Sequence, residues 1–309
     1  MLPWIALGAF VVVALAIDLR ADSHTVPSMR SSLLWSVVWT ALGVGFAGVL
    51  LLGGAGRIAA EEYLAGFLIE KSLSLDNLFV FAVLFGFFAV PPAERHRVLL
   101  FGVAGAIVLR TVFILAGAAA LDAFAFMTYV LGGLLAVTAV KIARHNSDEV
   151  DPDRSLAMRA LRRVMPVSRE YDGGRLMTKV RGQWAATPLM AALVMVAAFD
   201  VMFAIDSIPA IFAITRDTFI VFAANAFSLL GMISLYFLLD GMLERFRHLH
   251  YGLAAILGWV AAKLLLADVW HPPITLTLGV VIGALTVAAL TSVAAERRER
   301  RQPAPASTS

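Results

Sequence analysis

The chain contains no cysteine. That excludes disulfides, zinc–thiolate sites, iron–sulfur clusters and thiol catalysis together. Charge is scarce as well. Only 15% of the 309 residues are charged, while 60% are hydrophobic. A soluble domain carries roughly 25% charged and about 45–50% apolar residues. There is too little charge here to cover a globule, and the mean hydropathy of +0.84 points to lipid as the solvent. The formal net charge of +3 says little about partners and gives no sign of nucleic-acid binding. The N-terminal stretch MLPWIALGAFVVVALAIDLR lacks a basic leader and a small-x-small cleavage site. It reads as a retained first span.

Apolar runs fill most of the chain. A spanning helix needs about 20 mostly apolar residues. Nine candidates follow: Pro3–Leu19, Leu33–Gly53, Tyr63–Val90, Val98–Leu121, Phe124–Ala143, Pro188–Ile214, Thr218–Leu239, Tyr251–Ala267 and Ile274–Ala295. The expected fold class is an all-α polytopic membrane protein. With the N-terminus outside, twenty Lys and Arg fall in inner segments and two, Arg57 and Arg216, in outer loops. The positive-inside rule therefore predicts an outer N-terminus and a cytoplasmic C-terminus. The long inner loop from His145 to Thr187 contains LAMRALRRVMPVSREY, read as a short basic amphipathic helix ended by Pro166 and lying on anionic headgroups. A regulatory or partner-docking loop is the other reading. The tail RQPAPASTS has a disordered composition.

Two apolar runs carry acids. LSLDNLFVFAVLFG at 73–86 echoes FAIDSIPAIFAITR at 203–216. Asp76–Asn77 answers Asp206–Ser207, and each Asp has an acid six residues earlier, Glu70 or Asp200. Downstream, AIVLRTVFI around Arg110 aligns with LGMISLYFL around Ile233, and Lys141 aligns with Lys263. The repeat unit is three spans, three to five and then six to eight. An odd number of spans inverts the second copy, an arrangement typical of secondary transporters. The implied organisation is two N-terminal spans (1–62), a first repeat (63–143), a basic loop (144–187), a second repeat (188–267), a ninth span (268–295) and a basic tail (296–309).

A charge at the centre of a membrane helix costs at least ~2.5–3.5 kcal/mol. Four such carboxylates need cations, either the protein's own or ones passing through. The intramembrane cations are Lys71, Arg110 and Lys263, fewer than the acids. Carboxylates, the Asn77 amide and the Ser207 hydroxyl are hard oxygen donors that suit Mg²⁺, Ca²⁺ or Mn²⁺. A proton relay through the same acids is equally compatible. Two acids six residues apart on a regular helix point about 120° apart. Both reach one site only if the helix breaks, or if one faces the cavity while the other gates it. Pro209 favours a break beside Asp206, with freed carbonyls as further ligands. Arg110 reads as a structural partner of one acid and Asn225 as an interhelical hydrogen-bond residue or a site residue. Glu70–Lys71 is also readable as an outward-snorkelling interfacial pair. Asp18 reads as a solvated helix end and the Phe-rich runs as packing surface.

The stretches EKSLSLDNLFVF, GAIVLRTVFI, FAIDSIPAIFAITRDTFIVF, SLYFLL and HYGLAAILGWVAAKLLL closely resemble the TerC family of integral membrane proteins. The resemblance runs in order over roughly residues 1–270. It implies a cation exporter of the bacterial inner membrane, as several members look like manganese exporters, with no permanently bound cofactor. Glu70, Asp76, Asn77, Asp200, Asp206 and Ser207 then fall on the family's presumed metal-binding positions. Two departures stand out. Ala197 occupies a place where many members carry a further acid, and Ile233 one where many carry an arginine. A membrane scaffold docking partners through the basic loop is the competing reading. An intramembrane aspartyl protease is a remote third, because the chain has no Gly-x-Gly-Asp motif and Tyr171–Asp172 lies in the polar loop.

Overall fold

A computed structural model describes residues 2–20, 27–124, 126–143, 155–168, 170–180, 182–240, 249–266, 269 and 272–299. Helices dominate: α1 (Leu2–Arg20), α2 (Met29–Leu52), α3 (Gly56–Phe87), α4 (Pro92–Ala123), α5 (Met127–Ala143), α6 (Leu156–Val164), α7 (Pro188–Phe212), α8 (Thr218–Leu229), α9 (Met232–Leu239), α10 (Leu249–Leu265) and α11 (Ile274–Glu299). Residues 29–52, 92–123, 188–212, 218–239 and 275–292 are long and apolar enough to cross a membrane, and α1, α5 and α10 contribute shorter apolar stretches. Large apolar side chains such as Leu52, Val108, Val112, Val137 and Leu290 are exposed. Such a surface belongs in lipid rather than water.

Helix starts follow local chemistry. Ser28 caps α2 by accepting from Ser31 N–H. Thr187 caps α7 by accepting from Met190 N–H, with Pro188 in its first turn. Asp217 caps α8 by accepting from Phe219 and Ile220 N–H. Each satisfies donors that the first turn leaves open. The first turns of α3 lie upstream of the expected Tyr63–Val90 span. They carry Arg57, Glu61 and Glu62, which are compatible with helix but not with a hydropathy window.

Two packing relationships position the centre. Late α3 (Leu78, Phe81, Leu84, Phe85) packs with early α7 (Leu189, Ala192, Met195, Val196). Early α3 (Ala65, Ile69) packs with late α7 (Ala210, Ala213, Ile214). The two helices therefore run antiparallel. Helix α4 packs on α7, α3 packs on α8, and α5 packs on α10 through Leu135, Ala139, Ile256, Leu257 and Val260.

The structure departs from the sequence reading in four places. Helix α7 runs through Pro209 to Phe212, with no break beside Asp206. Proline removes a single bond here, one turn before the helix ends, and Ala213 N–H closes the end onto the carbonyls of Pro209 and Ile211. The break lies instead in the expected Thr218–Leu239 span. Leu230 is extended and Gly231 has φ 80°, which separates α8 from α9. A Cβ at Gly231 would fall on the Trp39 side chain, so glycine is required both for the backbone and for the close approach.

Third, α6 turns its apolar face to protein rather than lipid. Met158 and Leu161 are buried in the cluster that holds Leu189, Met195 and Val196, and Ser155 caps the helix while donating to Met195 Sδ. Fourth, the loop contains a hairpin, β1 (Met177–Val180) with β2 (Gln183–Ala186), antiparallel from Met177↔Ala186 to Val180↔Gln183. Tyr171 ties this loop to the α3–α4 corner, its hydroxyl donating to Phe88 O at 2.7 Å. Burial pushes the Tyr171 phenol up, so it stays a donor.

Candidate functional site

Glu70 sits near the middle of α3 and Arg110 past the middle of α4. Asp200 lies in the middle of α7 and Asn225 late in α8. All four side chains are essentially excluded from solvent, at 0%, 1%, 3% and 2% exposure. Arg110 joins them. Its Nη1 donates to Glu70 Oε2 and, at 2.8 Å, to Asn225 Oδ1. Its Nη2 lies 3.6 Å from Asp200 Oδ1. Asn225 donates in turn to Val221 O at 3.4 Å. One guanidinium thus holds acids from the two matching motifs and an amide from a third helix. Glu70 is committed inward, not snorkelling outward.

The cluster is incompletely satisfied. Glu70 Oε1, Asp200 Oδ2, Arg110 Nε and Arg110 Nη2 have no hydrogen-bond partner among the described residues. Two carboxylates face one guanidinium, so full ionisation leaves one negative charge in excess. In a dry interior that excess must be met by a proton or by a cation. The void beside Arg110 is ≈ 10 Å³, lined by Ile107, Thr111, Ile114, Phe222 and Leu229 among others. That is at most about one water. The described state is closed around the cluster.

Gly66 of α3 lies against both α7 and α8, since a Cβ added there would meet the Ala224 and Ile211 side chains. Glu70 and Asp200, although on separate helices, both come within reach of the one guanidinium of Arg110. Ser207 and Asn77 are buried, and Ser207 Oγ lacks a partner among the described residues. The side chains of Asp76, Asp206, Lys141 and Asp18 lie outside the described residues. Among those described, no group of three or more His, Asp, Glu or Cys converges to hold a metal.

Of the supporting residues, Pro209 is in the last turn of α7. Lys263 is half-buried near the end of α10 and, among the described residues, makes no hydrogen bond to the cluster. Lys71 points elsewhere: its Nζ donates to Ser228 O at 3.3 Å and Leu230 O at 3.5 Å, where α8 ends. Beside it, the Ser74 and Ser228 hydroxyls are 3.1 Å apart. Sequence reasoning missed this second polar focus. Its one available signal was Gly231, an isolated glycine inside an apolar run.

Residues 55–300 match the profile of the integral membrane protein TerC family. The chain is 42% identical over 295 residues to Alx of Salmonella typhi, named as a candidate membrane-bound redox modulator, covering 92% of this chain and 91% of that one. It is 41% identical over 295 residues to Alx of Escherichia coli K12, with 92% of each covered. An uncharacterized membrane protein of Myxococcus xanthus is 39% identical over 297 residues, covering 95% of this chain and 92% of that one. No solved structure matches.

Proposed function

The chain belongs to the TerC family of integral membrane proteins, and from that premise we propose that it exports divalent metal cations, Mn²⁺ first among them. The path runs through the acids shared by two inverted three-helix copies, spans three to five and six to eight of nine. The protein sits in a bacterial inner membrane with its N-terminus outside and its C-terminus cytoplasmic. The metal is cargo, not a resident cofactor, and the protein performs no covalent chemistry. Its partners are the bilayer, the ion and, as candidate coupling ion, the proton.

One observation carries this reading. Glu70 and Asp200 hold matching places in the two motifs, and both converge on Arg110 in a buried cluster with one acid in excess. Cross-packing supports it. The first helix of each copy lies against the second helix of the other, α3 on α8 and α7 on α4, and the third helices, α5 and α10, lie on each other. That is the pattern a two-fold axis in the membrane plane produces. The relatives named for redox modulation do not favour thiol chemistry here, because this chain has no cysteine.

Cell-associated metal in a manganese-sensitive bacterium tests the proposal. At high external Mn²⁺, the wild type lowers cell manganese. Asp76→Asn and Asp206→Asn fail to do so at matched membrane levels. Unchanged manganese, zinc, iron and calcium in every strain would leave a docking scaffold, with the basic loop as its working part, as the better reading.

A further inference from the structure

The second polar focus, around Lys71, is more than a helix cap. Helix α8 stops inside an apolar run long enough to span a membrane, where lipid offers its last carbonyls no hydrogen-bond partner. The C-terminal end of a helix also carries partial negative charge. Ser228 O and Leu230 O converge on one point, and the fully buried Ser228 hydroxyl and that of Ser74 lie beside it. The shape is fixed by the extended Leu230 and by Gly231 at φ 80°, which turns the chain into α9. Lys71, midway along α3, places its ammonium at that point.

From this geometry we infer that the α8–α9 break is a seat for a monovalent cation, filled in this protein by its own tethered ammonium. Among the described residues, the oxygens that define it are neutral. Carbonyls at broken membrane helices replace the hydration shell of alkali ions. A divalent ion would lose far more hydration than neutral oxygens return. The only acid adjacent to Lys71 in sequence, Glu70, is committed to Arg110. Lys71 thus stands where a bound alkali ion would stand, and the chain carries its cation covalently. The inference concerns binding alone and does not rest on the transport reading.

Thermal unfolding of the purified full-length protein in lipid nanodiscs tests it, in choline, sodium and potassium chloride at equal ionic strength. The wild type should melt at one temperature in all three. Lys71→Ala leaves the seat empty with room for an ion. Its midpoint should fall in choline and rise by several degrees, saturably, in sodium or potassium. Lys71→Met removes the charge but fills the space with its methyl group, so it should melt low in all three salts. The inference is overturned if Lys71→Ala ignores the alkali ion, if it stays unfolded in every salt, or if Lys71→Met or the wild type responds as strongly.

Discussion

The two copies of the motif differ most where they should be most alike. In the first, α3 and α4 are unbroken and carry a half-buried Lys71 and a buried Arg110. In the second, the matching places hold Val201 and Ile233, and the helix aligned with α4 is split into α8 and α9. Both cations reach partners in the second motif, and Arg110 also holds Glu70 of its own. Arg110 reaches Asp200 and Asn225, and Lys71 reaches the carbonyls at the split. The two motifs thus match in their acids and differ in their cations.

The largest effect should come from the cation that bridges the copies. Arg110→Leu leaves two buried acids without their partner and should cost about 3–5 kcal/mol in reversible unfolding from mixed micelles. Ile233→Leu, at the matching place, is a volume-conserving swap and should cost less than about 1.5 kcal/mol. Equal costs would dissolve the asymmetry. The split should respond next. Gly231→Ala forces a side chain into a left-handed conformation, worth about 1–2 kcal/mol, and pushes it against Trp39. Val108→Ala, aligned with it on the exposed side of α4, should stay within about 0.5 kcal/mol. Smallest is the difference at the helix starts. Asp217→Ala removes the cap of α8 and should cost about 1 kcal/mol. Glu94→Ala, in the first turn of α4 beside Arg97 at 3.2 Å, should cost a few tenths. The same unfolding assay orders all six.

Much of the helical frame was legible because lipid imposes a length and a composition. The expected Pro188–Ile214 span and the observed Pro188–Phe212 differ by two residues. The basic amphipathic helix before Pro166 was legible from its period and the proline that ends it, but its resting place was not. Apolar residues at helical spacing do not say whether lipid or α7 will cover them, and Met158 and Leu161 found α7. The helix break was misplaced for a similar reason. Proline announces itself in sequence, yet Pro209 falls where few bonds remain to lose. Gly231 sits unannounced among Leu, Met and Ile, and only its positive φ and the nearness of Trp39 give it meaning.

The candidate site was partly legible. Buried charge in an apolar run marks Glu70, Arg110 and Asp200 individually. That one arginine would hold acids of both motifs depends on α3 and α7 running antiparallel in a specific register, which no local pattern encodes. Asn225 gained its role in the same way, from α8 lying against α4. The nearby Ser74–Ser228 pair looks unremarkable in sequence, because small hydroxyls are common in packed membrane helices.

The hairpin in the basic loop has a practical consequence. Its strands leave side by side at Val180 and Gln183, and Gly182 at the tip has φ 82° with open space around it. A foreign domain inserted at that tip would enter and exit through neighbouring positions without pulling on α6 or α7. The hairpin is in effect a built-in socket. An epitope or fluorescent reporter grafted there should read out which face of the membrane the loop occupies while leaving the spans undisturbed.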